Sequence, residues 1–345
     1  MTAPFPLPPR APVTPVAGRT AAAIRAPDGQ STQTLPGFEP QWRDIVHYIV
    51  GITEEIWTDM AVDRIRATYA EDCVIHTSMG TVRGVAGVIS GTVQSLWAFT
   101  GFSTEHVSVT WNEQADGFYT SHLGFGRSVN TGATAYGPAT NAPLARHFCA
   151  DCVTADNKIH TEWLSRDTAT GIIQMGLTTQ GVAKTLAAHP VSEPLAPYPG
   201  DAPAPVAGDP ATMAGFFVTL FAHWNMRAFA AAGRVYADGA VAHWPGLREG
   251  AGPRAIALLY IGLFASIPDG VFRIEHISWS DEGPTVAVRW RLDGASSPLG
   301  AIGEMPGGKP VALIGFSHFR FGAGGIVEEW TVFDEVAVIV QALRG

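Results

Sequence analysis

Apolar residues recur at three- to four-residue spacing in two stretches of the chain. One holds Ile45, Ile49, Ile52 and Ile56; the other holds Met213, Phe216, Phe217, Leu220, Phe221 and Trp224. That period places each set on one face of a helix. Asp209-Pro210, just ahead of the second stretch, predicts an N-cap with proline in the first turn. Each long helix is followed by a short one ending at Tyr69 or Tyr236, then by a short β segment at Cys73–His76 or Ala240–Trp244. A further helix is predicted around 85–99 and around 254–265, the latter with Ile256, Leu259 and Leu263 on one face. β-rich runs close each half: 103–112, 117–127, 143–154 and 158–166 in the first, 271–280, 285–293, 309–321 and 326–334 in the second. Asp281-Glu282-Gly283-Pro284 and Gly322-Ala323-Gly324-Gly325 punctuate the second set as turns. Helices first and consecutive hairpins afterwards predict an α+β fold, with helices packed on one face of an antiparallel sheet.

The two halves repeat one another. A shift of 167 positions relates Trp57 to Trp224, Tyr69-Ala70 to Tyr236-Ala237, Val74 to Val241 and His76 to His243. The same shift relates Pro143 to Pro310, Ala145 to Ala312, Ile159 to Ile326, Glu162-Trp163 to Glu329-Trp330, Asp167 to Asp334 and Gln174 to Gln341. Trp111 and Trp279 match at 168, so small compensating indels lie between. A duplication accounts for this pattern, and two copies of this length mean two domains rather than a solenoid. Residues 1–37 are proline-rich without an apolar period and predict a flexible arm; residues 184–208 predict an extended inter-domain linker. The expected domains are therefore 38–183 and 209–345.

Charge narrows the partners. The chain carries 22 Lys and Arg against 31 Asp and Glu, a net charge of −9, with no basic run. This argues against nucleic acid or an anionic membrane as the main partner. No stretch approaches the roughly 18 consecutive apolar residues of a spanning helix. Pro4, Pro6, Pro8 and Pro9 break any signal-like apolar core, and three cysteines cannot build a disulfide framework. A cytoplasmic protein is expected.

Candidate chemistry concentrates in the last strand of each repeat, which carries Glu-Trp-x3-Asp. Residues an even number apart share a strand face, so Trp163 points with Asp167 and Trp330 with Asp334. An Asp beside an aromatic wall on a concave face would be desolvated and raised toward acid–base range. The same Asp could instead cap the short helix expected over Glu335–Leu343. His76 and His243 follow the first short strand of each repeat and could line a cavity or serve as structural histidines. Arg289 and Arg291 alternate with Trp290; an inward Arg289 could bind a carboxylate or enolate oxygen. Cys149-x2-Cys152 lies in a predicted strand, where an offset of three sends the sulfurs to opposite faces, so no metal site is expected.

The series Tyr-Ala-(Glu/Asp), Val-x-His, a later Gly, then Ile-x-x-Glu-Trp-x3-Asp and Gln resembles the SnoaL-like polyketide cyclases of the nuclear transport factor 2-like superfamily. The resemblance spans each repeat almost entirely and is fuller in the second, with Tyr236, His243, Gly250, Trp330, Asp334 and Gln341 in order. It implies two cones, each with helices wrapped by a bent antiparallel sheet around a cavity, packed as an internal pseudo-dimer with further homo-oligomers possible. It also implies a cofactor-independent aldol-type cyclase acting on a hydrophobic, carbonyl-bearing small molecule. By motif the acid–base residue maps onto Asp334, and onto Asp167 in the first repeat. His318 would hold or polarise an oxygen, and Trp330, Trp163, His243, His76 and Arg289 would bind substrate. Asp151 stands where the first repeat would need the counterpart of His318, which ranks the second cone first. The alternative is a non-catalytic tandem module of the same fold that binds a small molecule or a partner protein, with a closed, filled cone as its mark.

Overall fold

The computed structural model describes residues 33–191, 193–196, 212–279 and 285–345. Most of the expected arm and linker, Asp209-Pro210 and the turn at 281–284 lie outside these residues. The first unit runs α1 (Ile45–Thr53), which continues as a π-helical turn (Glu54–Thr58), α2 (Arg64–Thr68), β1 (Tyr69–Thr77), β2 (Gly80–Arg83) and α3 (Gly84–Ala98). Four long strands follow: β3 (Phe99–Gln114), β4 (Gly117–Asn130), β5 (Pro143–Ala155) and β6 (Lys158–Arg166), then α4 (Thr168–Gln174) and α5 (Thr179–Ala187). The second unit repeats the series as α6 (Met213–Asn225), α7 (Phe229–Gly233), β7 (Tyr236–Trp244), β8 (Arg248–Ala251), α8 (Gly252–Ser266), β9 (Val271–Trp279), β10 (Thr285–Ala295), β11 (Pro310–Gly322), β12 (Gly325–Phe333) and α9 (Glu335–Arg344). The helix at α5 crosses the position where the linker was expected to start.

Each unit has one six-stranded sheet, in the order β2-β1-β6-β5-β4-β3 and β8-β7-β12-β11-β10-β9. The sheets are mixed rather than antiparallel, because β1 pairs with β6, and β7 with β12, in parallel. The antiparallel expectation holds for the hairpins, where short turns force reversal, but β1 and β6 are joined through most of the unit and carry no such constraint. Register shifts between Thr100 and Ser103 and between His106 and Ser108 interrupt β3, where extra residues bend a strand.

The periodic residues do what their spacing predicts. Ile45, Ile49, Ile52 and Ile56 are all buried against the sheet of the first unit with Trp111 and Phe118. Helix starts are capped locally: Asp44 accepts from His47 N at 2.8 Å, and Thr212 accepts from Gly215 N at 2.9 Å. The repeated glutamines are clamps. Gln174 exchanges two hydrogen bonds with the backbone of Ala145, each 2.9 Å. Gln341 does the same with Ala312 at 2.8 and 2.9 Å.

One face of each sheet covers its own helices; the other faces meet along a seam. Leu123, Cys149, Ile314, Phe316 and Val332 form an apolar cluster there, drawn from both units. Polar pairs cross it, among them Thr110 Oγ1 with Ser278 Oγ at 2.5 Å and Ser121 Oγ with His318 Nε2 at 3.0 Å. The C-terminal α9 packs on α5, and Arg344 Nη2 donates to Leu186 O at 2.9 Å. No helix among the described residues is long and apolar enough to cross a membrane.

Candidate functional site

A cavity of about 330 Å³ opens in the first unit, between its helices and its sheet. Small side chains make the room. The face of α3 turned to the cavity carries Gly87, Gly91, Thr92 and Ser95. Trp57 on the π-helical turn, Phe148 on β5 and several aliphatic residues give it apolar walls.

Two polar systems reach this space. Glu162 on β6 is buried and accepts a hydrogen bond from Tyr69 OH at 3.1 Å. Burial pushes its carboxyl above the usual carboxylate range, against the opposing pull of the Tyr69 hydrogen bond and the Arg166 charge. Opposite strands supply a relay. Glu54 Oε1 meets His106 Nε2 at 3.0 Å, and His106 Nδ1 meets His122 Nε2 at 2.9 Å. All three residues are buried, and the His122 ring lines the cavity. Burial, then neighbouring His106 and His318, holds His122 well below the ordinary imidazole range, so it is neutral. A donor chain running from His122 through His106 to the Glu54 carboxyl leaves Nδ1 of His122 as an acceptor. Arg146 and Arg166 also line the cavity, with Arg127 and His147. A π-helical turn is uncommon inside an α-helix and often marks a functional site; here it carries Glu54.

The corresponding interior of the second unit is solid. Helices α3 and α8 are each 15 residues long and align start to start, so Gly91, Thr92 and Ser95 correspond to Leu259, Tyr260 and Leu263. Tyr260 stacks on Trp224 with ring centroids 3.8 Å apart and an 11° tilt. The strands differ in the same sense. Asp151 pairs with Ser121 while its counterpart His318 pairs with Ala287, which matches Gly124 to Trp290 and His122 to Val288. Trp290 is 1% exposed and lies over Gly315, whose added Cβ would run into the indole. Glu329 keeps the tyrosine partner, Tyr236 OH at 2.5 Å, and gains Trp244 Nε1 at 3.0 Å, Tyr260 OH at 3.0 Å and Thr331 Oγ1 at 2.6 Å. Four donors saturate that carboxylate, which is fully buried. Trp244 replaces Thr77, which lines the first cavity.

None of the residues expected from the sequence to be catalytic or substrate-binding lines the cavity. Asp334 caps α9, accepting from Val336 N at 3.0 Å and Ala337 N at 3.2 Å. Asp167 caps α4, accepting from Thr170 N at 2.9 Å, and also from Gly246 N of the second unit at 3.1 Å. Burial raises both carboxyls, but their oxygens face helix starts. Strand alternation stops short of each Asp, because β6 ends at Arg166 and β12 at Phe333; Trp163 is instead the cross-strand partner of Asp151 on the seam face. What alternation could not supply was which face is concave. Glu162, one residue from Trp163, takes the other face and the cavity.

His318 likewise belongs to the seam, where Nε2 lies 3.0 Å from Ser121 Oγ and 3.5 Å from Cys149 Sγ, and burial pushes the ring down to about 3. Trp163 and Arg289 do come together, but across the seam: the guanidinium sits 3.5 Å from the indole centroid. Arg289 also binds Glu275 at 3.0 Å and Tyr119 OH at 2.8 Å, and lies 3.7 Å from Asp151, whose carboxyl burial raises to about 6 against the pull of that charge. His76 stacks on Trp163 and His243 on Trp330, at 5.5 and 6.0 Å. His243 is further tied to Glu249 at 3.1 Å and Glu328 at 3.5 Å. The cysteine parity holds: Cys149 lies in the seam and Cys152 lines the cavity.

The residues missed carried a legible signal. Glu162 and Tyr69 were among the repeated positions, yet the indole and the Asp drew attention to the opposite strand face. Arg146, Arg166, Glu54 and His122 are polar where the repeat has Leu313, Phe333, Phe221 and Val288.

Residues 213–342 match the model of the SnoaL-like polyketide cyclase family. No curated protein matches the chain. Among solved structures, a protein of Jannaschia sp. CCS1 named for the SnoaL-like polyketide cyclases is 14% identical, with 38% of this chain and 90% of that one aligned and a TM-score of 0.34. IdmH of Streptomyces antibioticus is 22% identical over 37% of this chain and 96% of its own, with a TM-score of 0.32. A Catenulispora acidiphila protein with a ketosteroid isomerase-like fold is 14% identical over 37% and 92%, with a TM-score of 0.31. The second half of the chain is a SnoaL-like domain, arranged in tandem with a first unit of the same strand order.

Proposed function

We propose that the first unit is the working cone: an acid–base enzyme of the polyketide cyclase type, acting on a hydrophobic small molecule that carries carbonyl groups. One observation carries this reading. Glu162 is a buried carboxyl raised above its ordinary range, facing a cavity that the duplicate has filled. Ionised Glu162 takes a proton from the carbon beside one carbonyl, and the electron pair moves onto the carbonyl oxygen as an enolate. The enolate carbon forms a bond to a second carbonyl carbon of the same molecule. The Glu162 carboxylic acid then returns its proton to the new alkoxide, so no atom is gained or lost. His122 accepts a hydrogen bond from a ligand hydroxyl, oriented through His106 by Glu54. Acid–base help of this kind contributes about 10²–10⁴-fold.

For the second unit we propose a structural part. Its interior is occupied by Trp224, Tyr260 and Trp290, all at most 2% exposed, the filled state that separates a scaffold from a binding cone. Asp167 and Asp334 are helix caps in this reading.

The test is deuterium exchange alpha to the carbonyl of 1-tetralone in heavy water, followed by proton NMR. Wild type should accelerate exchange, and folded Glu162→Gln should lose roughly 10²-fold or more of that acceleration. Equal exchange in the two proteins removes Glu162 from the chemistry and leaves a cone that only binds.

A further inference from the structure

Arg146 and Arg166 come from adjacent strands, β5 and β6, and line the same cavity. Both are half-buried. Among the described residues, no carboxylate lies within 4.0 Å of either guanidinium. Their nearest company is aromatic: Arg146 lies 5.8 Å from the Phe99 centroid and Arg166 5.8 Å from that of Trp57. The two cations repel; burial and the Arg146 charge both lower Arg166, with Glu162 pulling the other way. Arg146 is felt also by Asp167 and Asp334, beyond ion-pair distance. The fold does not require this arrangement, because the duplicate places Leu313 and Phe333 at these positions, 0% and 1% exposed. Desolvating two unpaired, mutually repelling cations is costly unless an anion offsets it.

We infer that Arg146 and Arg166 form a receptor for a carboxylate, so that the ligand of the first cone is a hydrophobic carbonyl compound bearing a free acid group. This rests on the proposed function in placing the ligand in the cavity, and adds its chemical class. Planar guanidinium forks match a carboxylate through paired N–H donors. A monoanion also suits the local charge. A third lining cation, Arg127, is offset by Glu105 at 3.4 Å, so the two unpaired cations and ionised Glu162 leave one net positive charge, whereas a phosphate dianion would crowd Glu162, whose own charge already couples to Arg166.

The test is calorimetric binding of three probes to the full chain: 2-naphthoate, the neutral 2-naphthamide and 2-naphthyl phosphate. We expect wild type to prefer naphthoate over naphthamide by roughly ten- to hundredfold, the range of one or two charge-assisted hydrogen bonds. Arg166→Gln should remove most of that preference, and so should Arg146→Leu, which installs the residue the second unit already carries. Naphthamide binding as tightly as naphthoate, or a preference that survives in both variants, overturns the receptor. Tighter binding of the phosphate overturns the choice of carboxylate. None of these outcomes touches the tetralone experiment, whose ketone has no acid group. Conversely, unchanged exchange in Glu162→Gln leaves the carboxylate preference standing.

Discussion

The two units share a frame and differ in what the frame encloses. Both keep the tyrosine–glutamate pair, the Asp helix caps, the glutamine clamps and the His–Trp stacks. Inside, the second unit holds Phe221, Val288, Leu313 and Phe333, while the first holds Glu54, His122, Arg146 and Arg166. Apolar burial of the second kind stabilises a domain outright; buried polar groups of the first kind stabilise little, and cost much if left unpaired. A domain that keeps them beside an open cavity gives up stability at the place where chemistry is expected. The division of labour resembles a duplicated pair in which one copy holds the other in shape. The family match falls on residues 213–342, the copy in which the repeated motifs are fuller.

The sharpest way to break this comparison is to make the same change in both copies. Glu162→Gln should cost about 10²–10⁴-fold in rate and little stability. Glu329→Gln, which disturbs a carboxylate held by four donors, should cost about 1–3 kcal/mol of stability and leave intrinsic exchange at 1-tetralone unchanged once the folded fraction is corrected for. Urea denaturation beside the exchange assay reads both; a rate loss in Glu329→Gln would end the division of labour.

Cavity-making and cavity-filling form the next pair. Trp290→Ala should destabilise by about 3–5 kcal/mol, the range for removing a fully buried aromatic. Thr92→Tyr should be tolerated at under about 1.5 kcal/mol, because the ring enters existing space, yet abolish naphthoate binding. Thermal melts and calorimetry check both.

Acid should act on the depressed histidines. Burial lowers His147 to about 4, and His276 and His318 to about 3. Histidines depressed on folding add stability above their unfolded value near 6.5, lost as pH falls toward those folded values. Asp151, raised to about 6, and Glu335, raised to about 7, act oppositely: their contribution is present below pH 4 and lost as pH rises through 6 and 7. Burial also raises Glu162, Asp167, Glu329 and Asp334, so the two classes oppose each other between pH 6.5 and 4, and the histidines' share of stability is the part that falls with pH there. Each histidine contributes at most about 1.4 kcal/mol per pH unit. His318→Gln should flatten that slope in urea titrations; an unchanged slope would show that His318 is not among its causes.

The smallest effect belongs to the residue that sequence motif ranked first. Asp334→Ala should cost about 0.5–2 kcal/mol, as loss of an N-cap does, with unchanged exchange at 1-tetralone. A thermal melt and the NMR assay decide it; a collapse of exchange in folded protein would return acid–base chemistry to Asp334.

Much of this molecule was legible from the chain alone. Helical spacing at Ile45 to Ile56 and alternation in the long strands gave the elements, and the constant shift of 167 gave the duplication, because both depend on local geometry and counting. The caps at Asp167 and Asp334 were legible too, as the plainer of two readings. Alternation parted Trp163 from its neighbour Glu162 but did not reach Asp167, which lies past the end of the strand as a helix cap. Only the tertiary structure decided which strand face wraps the helices and which meets the other unit. A strand's two faces are equivalent until bulges, helix packing and a partner sheet distinguish them. The same holds for the hollow and the filled cone: Gly91 and Leu259, or Gly124 and Trp290, acquire opposite consequences only when a second strand or helix brings their neighbours within contact.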